Sequence, residues 1–290
     1  MAILVDENTR LLVQGMTGRA GTFYTDQAMR YGTNCVAGVR PGRGGTSHLG
    51  LPVFHTCAEA VKETQANASL VTVPAPKAAE AMIEAIEAEI GVVVCITERV
   101  PQHDMRRVKD ALKGSDTVLI GPNSQGILTP GQCKIGVMPT VDAKPGHIGI
   151  ASRSASLTSE VLANCSAANL GQSTTVGVGG DVLHGIGFVG CLERFREDDD
   201  TKAVVLIGEM GGREEELAAE YLSAVDYGKP VVGLVVGRHA PVGRRMGHAG
   251  TLSVFGNLSA DEKISLLRDA GVVIAKDAGD VVDTVTSCLS

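Results

Sequence analysis

The chain has 290 residues and a formal net charge of −7 at pH 7, with 44% hydrophobic and 20% charged residues. This size and composition are typical of a globular protein with two domains. The acidic balance argues against a general nucleic-acid-binding protein, and the 3% of aromatic residues argues against platforms for base stacking. Seven cysteines without a C-x-x-C pair indicate reduced thiols that pack as small apolar side chains.

Neither a leader nor a membrane span is predicted. Asp6, Glu7 and Arg10 interrupt the first apolar residues, and the longest uncharged stretch, 161–180, carries several polar side chains. We therefore expect a soluble protein of a reducing compartment, with no membrane and no nucleic acid as partner.

Short apolar runs alternate with helical stretches through the first 125 residues. Strands that are apolar on both faces, with helices between them, indicate a parallel, doubly wound sheet. The predicted strands are Leu11–Gln14, Cys35–Val39, Ser69–Val73, Val92–Ile96 and Thr117–Ile120, and the predicted helices are Thr22–Tyr31, Cys57–Glu63, Lys77–Glu87 and Met105–Leu112. We assign residues 1–125 to a Rossmann-like α/β domain and the segment 126–144 to a join.

A second series of strands and helices occupies residues 145–290, which we assign to a flavodoxin-like α/β domain. The predicted strands are His147–Ala151, Thr174–Val178, Ala203–Ile207, Pro230–Val236 and Val272–Ala275. The predicted helices are Leu157–Ala168, Phe188–Arg196, Arg213–Val225, Asp261–Ala270 and Ala278–Cys288.

A glycine-rich loop follows the first predicted strand and opens the first helix. Residues 15–21 have the spacing G-x-x-G-x-x-G, which is related to the dinucleotide-binding fingerprint. Glycines let the backbone approach a phosphate, and the helix N-terminus supplies N–H donors and the positive end of its dipole. The loop therefore predicts a phosphate-binding site.

The end of the second predicted strand distinguishes between cofactors. An NAD-binding protein carries Asp or Glu there, whereas this chain has Arg40 and Arg43. Arginines pair well with the additional phosphate on the adenosine ribose of NADP or coenzyme A. NAD is disfavoured. NADP, coenzyme A and a solvated basic turn without a ligand all stay open at this point.

Three features of the second half could act together. Ser154 and Ser156 stand at a predicted helix start, where hydroxyl groups cap free N–H groups and can hold a phosphoryl group. Glu209 ends a predicted strand, and His248 lies on a glycine-flanked loop after Pro230–Val236. Histidine accepts phosphoryl groups when a carboxylate orients its other ring nitrogen. The alternative is a surface-loop histidine with ordinary capping serines.

The order of these motifs resembles the α subunit of succinyl-CoA synthetase, also called succinate–CoA ligase, over nearly the whole chain. The matching segments are Gly15-Met16-Thr17-Gly18, Gly42-Arg43-Gly44-Gly45-Thr46, His48-Leu49-Gly50-Leu51-Pro52-Val53-Phe54, Val73-Pro74-Ala75-Pro76, Ile96-Thr97-Glu98, Gly121-Pro122-Asn123, Lys134-Ile135-Gly136, Gly208-Glu209-Met210-Gly211-Gly212 and Arg245-Met246-Gly247-His248-Ala249-Gly250. The last of these, in order with the others, is highly specific.

The resemblance implies an NDP-forming acid–CoA ligase in which His248 carries the phosphoryl group to a small carboxylic acid, succinate or a related anion. Glu209 would orient His248, and Ser154 and Ser156 would lie where the phosphate docks. The implied contacts of coenzyme A are Thr17, Gly18, Arg19, Ala20, Arg40, Arg43 (where the family usually has Lys), Pro74, Ile96, Thr97, Glu98 and Asn123.

The resemblance also implies a partner. ATP or GTP, with Mg, would bind to a separate β subunit of the ATP-grasp fold, in a heterodimer or heterotetramer, and no metal site is expected in this chain. The implied location is a cytoplasm of the bacterial type or a mitochondrial matrix.

The chain departs from the family pattern at three places. Ser124-Gln125 replaces the usual Cys-Pro after Asn123, and Ala155 replaces a glycine, which would be strained if the position required a positive φ. Ser159 stands where the family usually has a tyrosine that contacts the acid, so the identity of the acid is open. Two other readings also stay open: an NADP-dependent oxidoreductase, and a CoA-binding regulatory protein with an inactive ligase half.

Overall fold

The computed structural model describes residues 2–241, 246–248, 251 and 258–290, which form two seven-stranded sheets with helices packed against them. The strands of the first sheet are β1 (Arg10–Gln14), β2 (Asn34–Val39), β3 (Thr46–His48), β4 (Leu51–Phe54), β5 (Ala68–Val71), β6 (Val92–Cys95) and β7 (Val118–Ile120). The helices of this half are α1 (Arg19–Tyr31), α2 (Cys57–Thr64), α3 (Ala75–Glu87) and α4 (Gln102–Leu112).

The first sheet has the strand order of a dinucleotide-binding fold. The order is β3-β4-β2-β1-β5-β6-β7, and all neighbours are parallel except β3 and β4. Counted without β3, the parallel strands follow the order 3-2-1-4-5-6 that defines the Rossmann fold. The predicted fold class is confirmed for this half.

The second sheet and its helices follow from residue 126 onward. The strands are β8 (Gly126–Thr129), β9 (Cys133–Gly136), β10 (Pro145–Ser152), β11 (Gln172–Gly177), β12 (Ala203–Glu209), β13 (Val231–Val236) and β14 (Val273–Ile274). The helices are α5 (Ala155–Ala167), α6 (Phe188–Glu197), α7 (Glu214–Ala224), α8 (Ala260–Asp269) and α9 (Val281–Leu289).

The second sheet has the strand order β14-β13-β12-β10-β11-β8-β9. Its five parallel strands, β10 to β14, follow the flavodoxin-like order 2-1-3-4-5. The strands β8 and β9 form an antiparallel hairpin that pairs with β11. The segment 126–144, which we expected to serve as a join, therefore contributes two strands to the second sheet.

Both hairpins were missed in the sequence because neither shows a long apolar run. The strand β3 has only three residues, Thr46, Ser47 and His48, all polar. Its turn to β4 consists of Leu49 and Gly50, which both have positive φ, at 52° and 77°. Two such residues form the tight turn that matches the twist of a two-residue hairpin. The other predicted strands and helices are present, with ends that differ by a few residues.

The two sheets share a continuous core of aliphatic side chains. One cluster of buried residues contains Leu11 and Val94 from the first sheet and Val176 and Val204 from the second. The segment 178–187 also hydrogen-bonds to the end of β7, where the amide of Ile186 donates to the carbonyl of Leu119 at 2.6 Å. These contacts fix the carboxyl edges of the two sheets relative to each other.

All seven cysteines are free, six of them are buried, and burial raises the pKa of Cys165 to about 11. Within the described ranges, no helix has the length and apolar character needed to cross a membrane.

Candidate active site

The glycine loop lies at the topological switch point of the first sheet, at the carboxyl ends of the neighbouring strands β1 and β5. Gly15 has φ 83°, and a Cβ on Gly21 would lie 2.2 Å from the carbonyl oxygen of Gly15, so the loop requires glycine at both positions. Gly18 caps α1 without a side-chain hydrogen bond, which leaves the first amides of the helix open to an anion. The local structure therefore fits a phosphate group.

A cavity of about 830 Å³ opens over this loop, and we call it the loop cavity. Its lining includes Thr17, Gly18, Arg19, Ala20, Arg40, Val73, Pro74 and Lys77. Arg19, Arg40 and Lys77 bring three cations to a cavity that contains open helix amides, and the two carboxylates of its lining, Glu80 and Glu84, leave a positive balance. This combination suits an anionic ligand with several phosphates.

The two arginines of the basic turn differ in position. Nη1 of Arg40 donates to Oγ1 of Thr17 at 2.5 Å, which places its guanidinium beside the glycine loop. Arg43 is exposed, and its backbone amide donates to the carbonyl of Arg40 at 3.1 Å. The structure brings Arg40 to the loop cavity and does not bring Arg43 to its lining. Lys77 on α3, which the sequence analysis did not single out, lies there instead.

A second cavity of about 740 Å³ lies between the two halves of the chain, and we call it the interdomain cavity. Ile96, Glu98 and Asn123 line it from the first half, and His248 lines it from the second. Thr97 lies behind this wall, where its hydroxyl donates to the carbonyl of Val73 at 2.8 Å. The predicted CoA contacts are thus divided between two cavities, except for Thr97 and Arg43, which line neither.

His248 and Glu209 are in direct contact at the rim of the second sheet. Nδ1 of His248 lies 2.8 Å from Oε2 of Glu209, whose side chain is only 7% exposed. The hydrogen bond that His248 donates to Glu209 raises the pKa of His248 above its ordinary value, and partial burial opposes this effect. With the Nδ1 proton donated to Glu209, the lone pair of neutral His248 is on Nε2. The pair provides an oriented nitrogen nucleophile on a cavity wall.

The Glu209 carboxylate is held from behind by charges that sequence reasoning missed. Nη2 of Arg153 lies 3.1 Å from Oε1 of Glu209, and Nη1 donates to the carbonyl of Gly211 at 3.0 Å. Oε1 of Glu215, the second residue of α7, accepts the backbone amide of Glu209 at 2.9 Å. Arg153 and Glu215 are both almost fully buried. A charged run at a helix start is ordinarily solvated, so the sequence carried no signal for this burial.

Gly180 and Asp181 form the wall beside His248. A Cβ on Gly180 would lie 2.5 Å from the imidazole, so glycine makes the room for the ring. The Asn123 side-chain amide donates to Oδ1 of Asp181 at 3.0 Å. Burial raises the pKa of Asp181, while its hydrogen bond to Asn123 and the nearby His248 oppose this rise. Asp181 therefore adds a second partly buried carboxyl group to the cavity.

The predicted phosphate-docking serines lie at the start of α5. Ser154 is the N-cap, its Oγ accepts the amide of Leu157 at 3.4 Å, and it lies 3.5 Å from Oγ of Ser156. Ala155 is the first helical residue and is not among the described residues with positive φ, so it is not strained. The hydroxyl of Ser159 donates to the carbonyl of Ala155 at 3.1 Å, and Ser159 is not among the residues that line the interdomain cavity.

The Ser124-Gln125 departure is accommodated by buried hydrogen bonds. Oγ of Ser124 donates to the carbonyl of Gly177 at 2.5 Å and accepts the amide of Gly126 at 2.8 Å. Nε2 of Gln125 donates to the hydroxyl of Thr158 at 2.7 Å. These bonds tie the floor of the interdomain cavity to α5 and β11.

Metal ligation has no evident site among the described side chains, where no cluster of three or more His, Cys, Asp or Glu could hold an ion. Arg244 and Arg245, which belong to the histidine motif, and Ala249 and Gly250 lie outside the described residues.

Comparison with known proteins places this geometry in a family. A model of the CoA binding domain matches residues 6–99, and a model of the CoA-ligase domain matches residues 151–273. The chain is 49% identical over 289 residues to the ADP-forming succinate–CoA ligase subunit alpha 2 of Archaeoglobus fulgidus, with 100% of both chains covered. It is 47% identical over 285 residues to the ADP-forming succinate–CoA ligase subunit alpha of Staphylococcus aureus, covering 98% of this chain and 94% of that protein.

Solved structures show the same fold at lower identity. ATP citrate lyase from Methanothrix soehngenii, in complex with citrate and coenzyme A, superposes with a TM-score of 0.90 at 24% identity. It covers 99% of this chain, which spans 50% of the lyase chain. Dinucleotide-forming acetyl-coenzyme A synthetase 1 from Ca. Korarchaeum cryptofilum superposes with a TM-score of 0.78 at 20% identity, covering 97% of this chain and 61% of that one. Because the identity to both curated ligase subunits extends over nearly the full length, the chain belongs to the family of succinate–CoA ligase α subunits.

Proposed function

We propose that this chain is the α subunit of an ADP- or GDP-forming acid–CoA ligase that works through a phosphohistidine at His248. The observation that carries the proposal is the 2.8 Å contact between Nδ1 of His248 and the buried carboxylate of Glu209, on a cavity wall shared with Ile96 and Glu98. Residues 1–125 are assigned to binding of coenzyme A, and residues 145–290 to the ligase chemistry.

The proposed reaction has three steps: phosphorylation of His248, formation of an acyl phosphate and formation of the thioester. Nε2 of His248 attacks the terminal phosphorus of the nucleoside triphosphate, a P–N bond forms, and the nucleoside diphosphate leaves with the electrons of the broken P–O bond. A carboxylate oxygen of the acid then attacks the phosphorus and displaces His248, giving an acyl phosphate. The thiol of coenzyme A attacks the acyl carbon, phosphate leaves, and the thiol proton is released. Glu209 stabilises the cationic imidazole ring whenever Nε2 is bonded to phosphorus.

The serines at the start of α5 are assigned to the transferred phosphate. Ser154 and Ser156 bring two hydroxyl groups to a helix N-terminus, where backbone amides and the helix dipole favour an anion. Arg153 precedes them and is paired with Glu209, so its role is to hold the carboxylate.

The coenzyme A site is assigned to both cavities. The loop cavity takes the phosphates on the open amides of Arg19 and Ala20, with Thr17, Gly18, Arg40 and Pro74 beside them. Ile96, Thr97, Glu98 and Asn123 belong to the strand ends and turns that lead towards His248. Coenzyme A bound in this way has its phosphates in one cavity and its thiol in the other, beside the phosphoryl acceptor. Arg43 is assigned to the rim of the basic turn.

The nucleotide is assigned to a partner. The curated relatives are named as α subunits, and we propose that the β partner has an ATP-grasp fold and binds ATP or GTP with Mg, in a heterodimer or heterotetramer. His248 would then receive the phosphoryl group at the partner's site and deliver it at the interdomain cavity.

The acid is proposed to be succinate or another small anionic carboxylic acid. The relatives are named for succinate. Family membership removes the support for an NADP-dependent oxidoreductase, which also gives His248 and Glu209 no role. The intact contact between these two residues argues against an inactive ligase half.

Labelling tests the proposal directly. The complex with its β partner is incubated with ATP or GTP labelled at the γ-phosphate, and this chain should acquire an acid-labile, base-stable label. His248→Asn should abolish both the label and acyl-CoA synthesis. His239→Asn is the matched control, because His239 is an exposed histidine in the same segment after β13 and should leave the label unchanged. Full turnover by His248→Asn would refute the mechanism.

A further inference from the structure

Lys263 is a lysine of α8 whose side chain is completely buried close to the backbone of Glu209. Its Nζ donates to the carbonyls of Gly211 at 2.6 Å and Gly212 at 3.1 Å, and it lies 3.4 Å from the carbonyl of Glu209. The two glycines have φ values of 75° and 65° and form the turn that follows Glu209. Lys263 therefore holds the backbone on which the orienting carboxylate is mounted.

The same ammonium group begins a chain of buried ion pairs. Nζ of Lys263 lies 2.5 Å from Oε2 of Glu215 and 3.4 Å from Oε2 of Glu216. The other oxygen of Glu215 lies 3.4 Å from Arg153, and Arg153 lies 3.1 Å from Glu209. The chain of contacts thus runs from α8 through α7 to the carboxylate that faces His248.

The charges of this cluster are nearly balanced. Glu209, Glu215 and Glu216 are three acidic groups, and Arg153 and Lys263 are two basic groups. A protonated His248 supplies the third positive charge. Removing one of the two permanent cations would leave an uncompensated carboxylate in a region from which water is largely excluded, and carboxyl groups in that situation bind protons more tightly.

Stability alone is a weak explanation for such an arrangement. Burying an ion pair costs desolvation energy that its attraction often fails to recover, and apolar replacements of buried pairs are frequently neutral or stabilising. Lys263 is on α8, and its ammonium group contacts the turn after Glu209. The buried charge therefore serves to hold this turn in place. The element α8 directly follows the segment that carries His248.

We propose that Lys263 is a positioning residue for phosphoryl transfer at His248, which pairs with Glu215 and Glu216 and holds the Gly211–Gly212 turn so that the Glu209 carboxylate stays aimed at Nδ1. The inference rests on His248 being the phosphoryl acceptor. It also assigns to Lys263 an effect on proton binding by His248, because the ion pairs connect the positive charge of Lys263 to Glu209.

The sign of that effect follows from charge. Phosphorylation requires an unprotonated Nε2, so the rate falls when His248 takes up a proton at low pH. The groups that face the cluster are Arg153 after β10, Glu215 and Glu216 of α7, Lys263 of α8, and Asp181 beside His248, with the pair His184 and Glu214 next to Arg153. Removing the Lys263 cation makes protonation of His248 easier, so the acid limb, the low-pH side of the rate profile, moves to higher pH. Removing a carboxylate has the opposite effect and moves the acid limb to lower pH.

Four variants test the inference in the complex with the β partner: Lys263→Met, Glu216→Gln, the double variant with both changes, and Lys276→Met. Lys276 is an exposed lysine before α9, so it controls for the loss of a positive charge. The measurements are the single-turnover rate of His248 labelling between pH 5.5 and 9, as an assay range, together with CoA affinity and thermal unfolding.

We expect Lys263→Met to slow labelling roughly 10- to 100-fold, the loss typical of partners that orient a reacting group. Its acid limb should move to higher pH, while CoA affinity stays at the wild-type value. Glu216→Gln should move the limb to lower pH, and the double variant should bring it back towards the wild type. Lys276→Met should behave as the wild type.

Each outcome decides between explanations. Labelling of Lys263→Met at the wild-type rate with an unchanged pH profile would overturn the inference. If Lys263→Met is labelled slowly and the added Glu216→Gln change does not shift its acid limb, the role of Lys263 is only structural. If Lys263→Met does not fold, Glu216→Gln alone tests the inference. An acid limb of Glu216→Gln at the wild-type pH would contradict the proposed effect of the cluster charges on His248. Absence of label on the wild-type chain would instead contradict the proposed function itself.

Discussion

Gly180→Ala tests how closely the position of the His248 ring is set by the wall of the interdomain cavity. An added Cβ would lie 2.5 Å, 2.6 Å and 2.8 Å from three atoms of the imidazole. Carbon contacts of this kind normally lie at about 3.5–4.0 Å, so the ring must retreat by about 1 Å. Gly180 does not have a positive φ, and alanine can therefore adopt its backbone conformation without strain.

The expected magnitude follows from the contact that the retreat disturbs. A displacement of about 1 Å is enough to take Nδ1 of His248 out of hydrogen-bond range of Glu209, from the present 2.8 Å. A hydrogen bond to a charged group contributes about 1.5–3 kcal/mol, which corresponds to roughly 10- to 150-fold in rate. The pKa of His248 should also fall back towards its ordinary value, because the hydrogen bond that His248 donates to Glu209 is the main cause of its rise.

Single-turnover labelling of the αβ complex as a function of pH measures both effects. We expect slower labelling at neutral pH and an acid limb at lower pH than in the wild type, with unchanged affinity for coenzyme A. Gly91→Ala is the matched control, because a Cβ there would meet only the carbonyl oxygen of Asn67 at an ordinary 3.5 Å. Wild-type labelling by Gly180→Ala, or equal losses in both alanine variants, would refute the reasoning.

Three further predictions concern the ligands and the stability of the chain. Arg40→Ser should reduce the preference for coenzyme A over dephospho-CoA by about tenfold or more in calorimetric titration, whereas Arg43→Ser should change it little, because Arg40 lines the loop cavity and Arg43 does not. Arg99 has φ 62°, in the left-handed region that favours glycine, so Arg99→Gly should raise the free energy of unfolding in urea by about 0.5–1 kcal/mol. Arg107→Gly should lower it by a similar amount, because Arg107 lies inside α4, where glycine is unfavourable. Ser159→Tyr should shift the ratio of kcat/KM values towards succinate, and away from larger or more polar acids, by about 1–3 kcal/mol, and an unchanged ratio would make Ser159 a neutral replacement.

The loss of Glu209 itself separates chemistry from cofactor binding. Glu209→Gln should strongly slow labelling of His248, because an amide cannot stabilise the positive ring, while affinity for coenzyme A stays near normal. The pKa of His248 should fall in this variant, as the cause of its rise is removed. A parallel loss of CoA affinity in the same titration would contradict the separation of the two functions.

The sequence by itself determined the repeating strand and helix order and the family of this protein. Parallel strands buried on both faces need unbroken Val, Ile and Leu runs, and such runs as Val204 to Ile207 can be read without any knowledge of their neighbours. The glycine loop could be read for the same reason, because its backbone conformation is a local requirement. The motif around His248, in order with the others, was specific enough to indicate the ligase family.

Tertiary structure alone decided which of the candidate residues meet. The contact between His248 and Glu209 spans 39 residues, and only the order of β10, β12 and β13 in the sheet brings the two side chains together. Sequence reasoning placed Arg40 and Arg43 in one site, whereas the folded turn brings Arg40 to the lining of the loop cavity and does not bring Arg43 there.

The buried charges were the least predictable part of the site. Lys263 and Glu215 lie on helices with mixed polar and apolar faces, and charged residues in such patterns are ordinarily in contact with water. Their burial depends on partners that come from α7, α8 and the end of β10, which the chain brings together only after both sheets are formed. Local sequence carries the propensity for strands and helices, but the free energy of a buried charge depends on non-local neighbours, and only the folded chain supplies them.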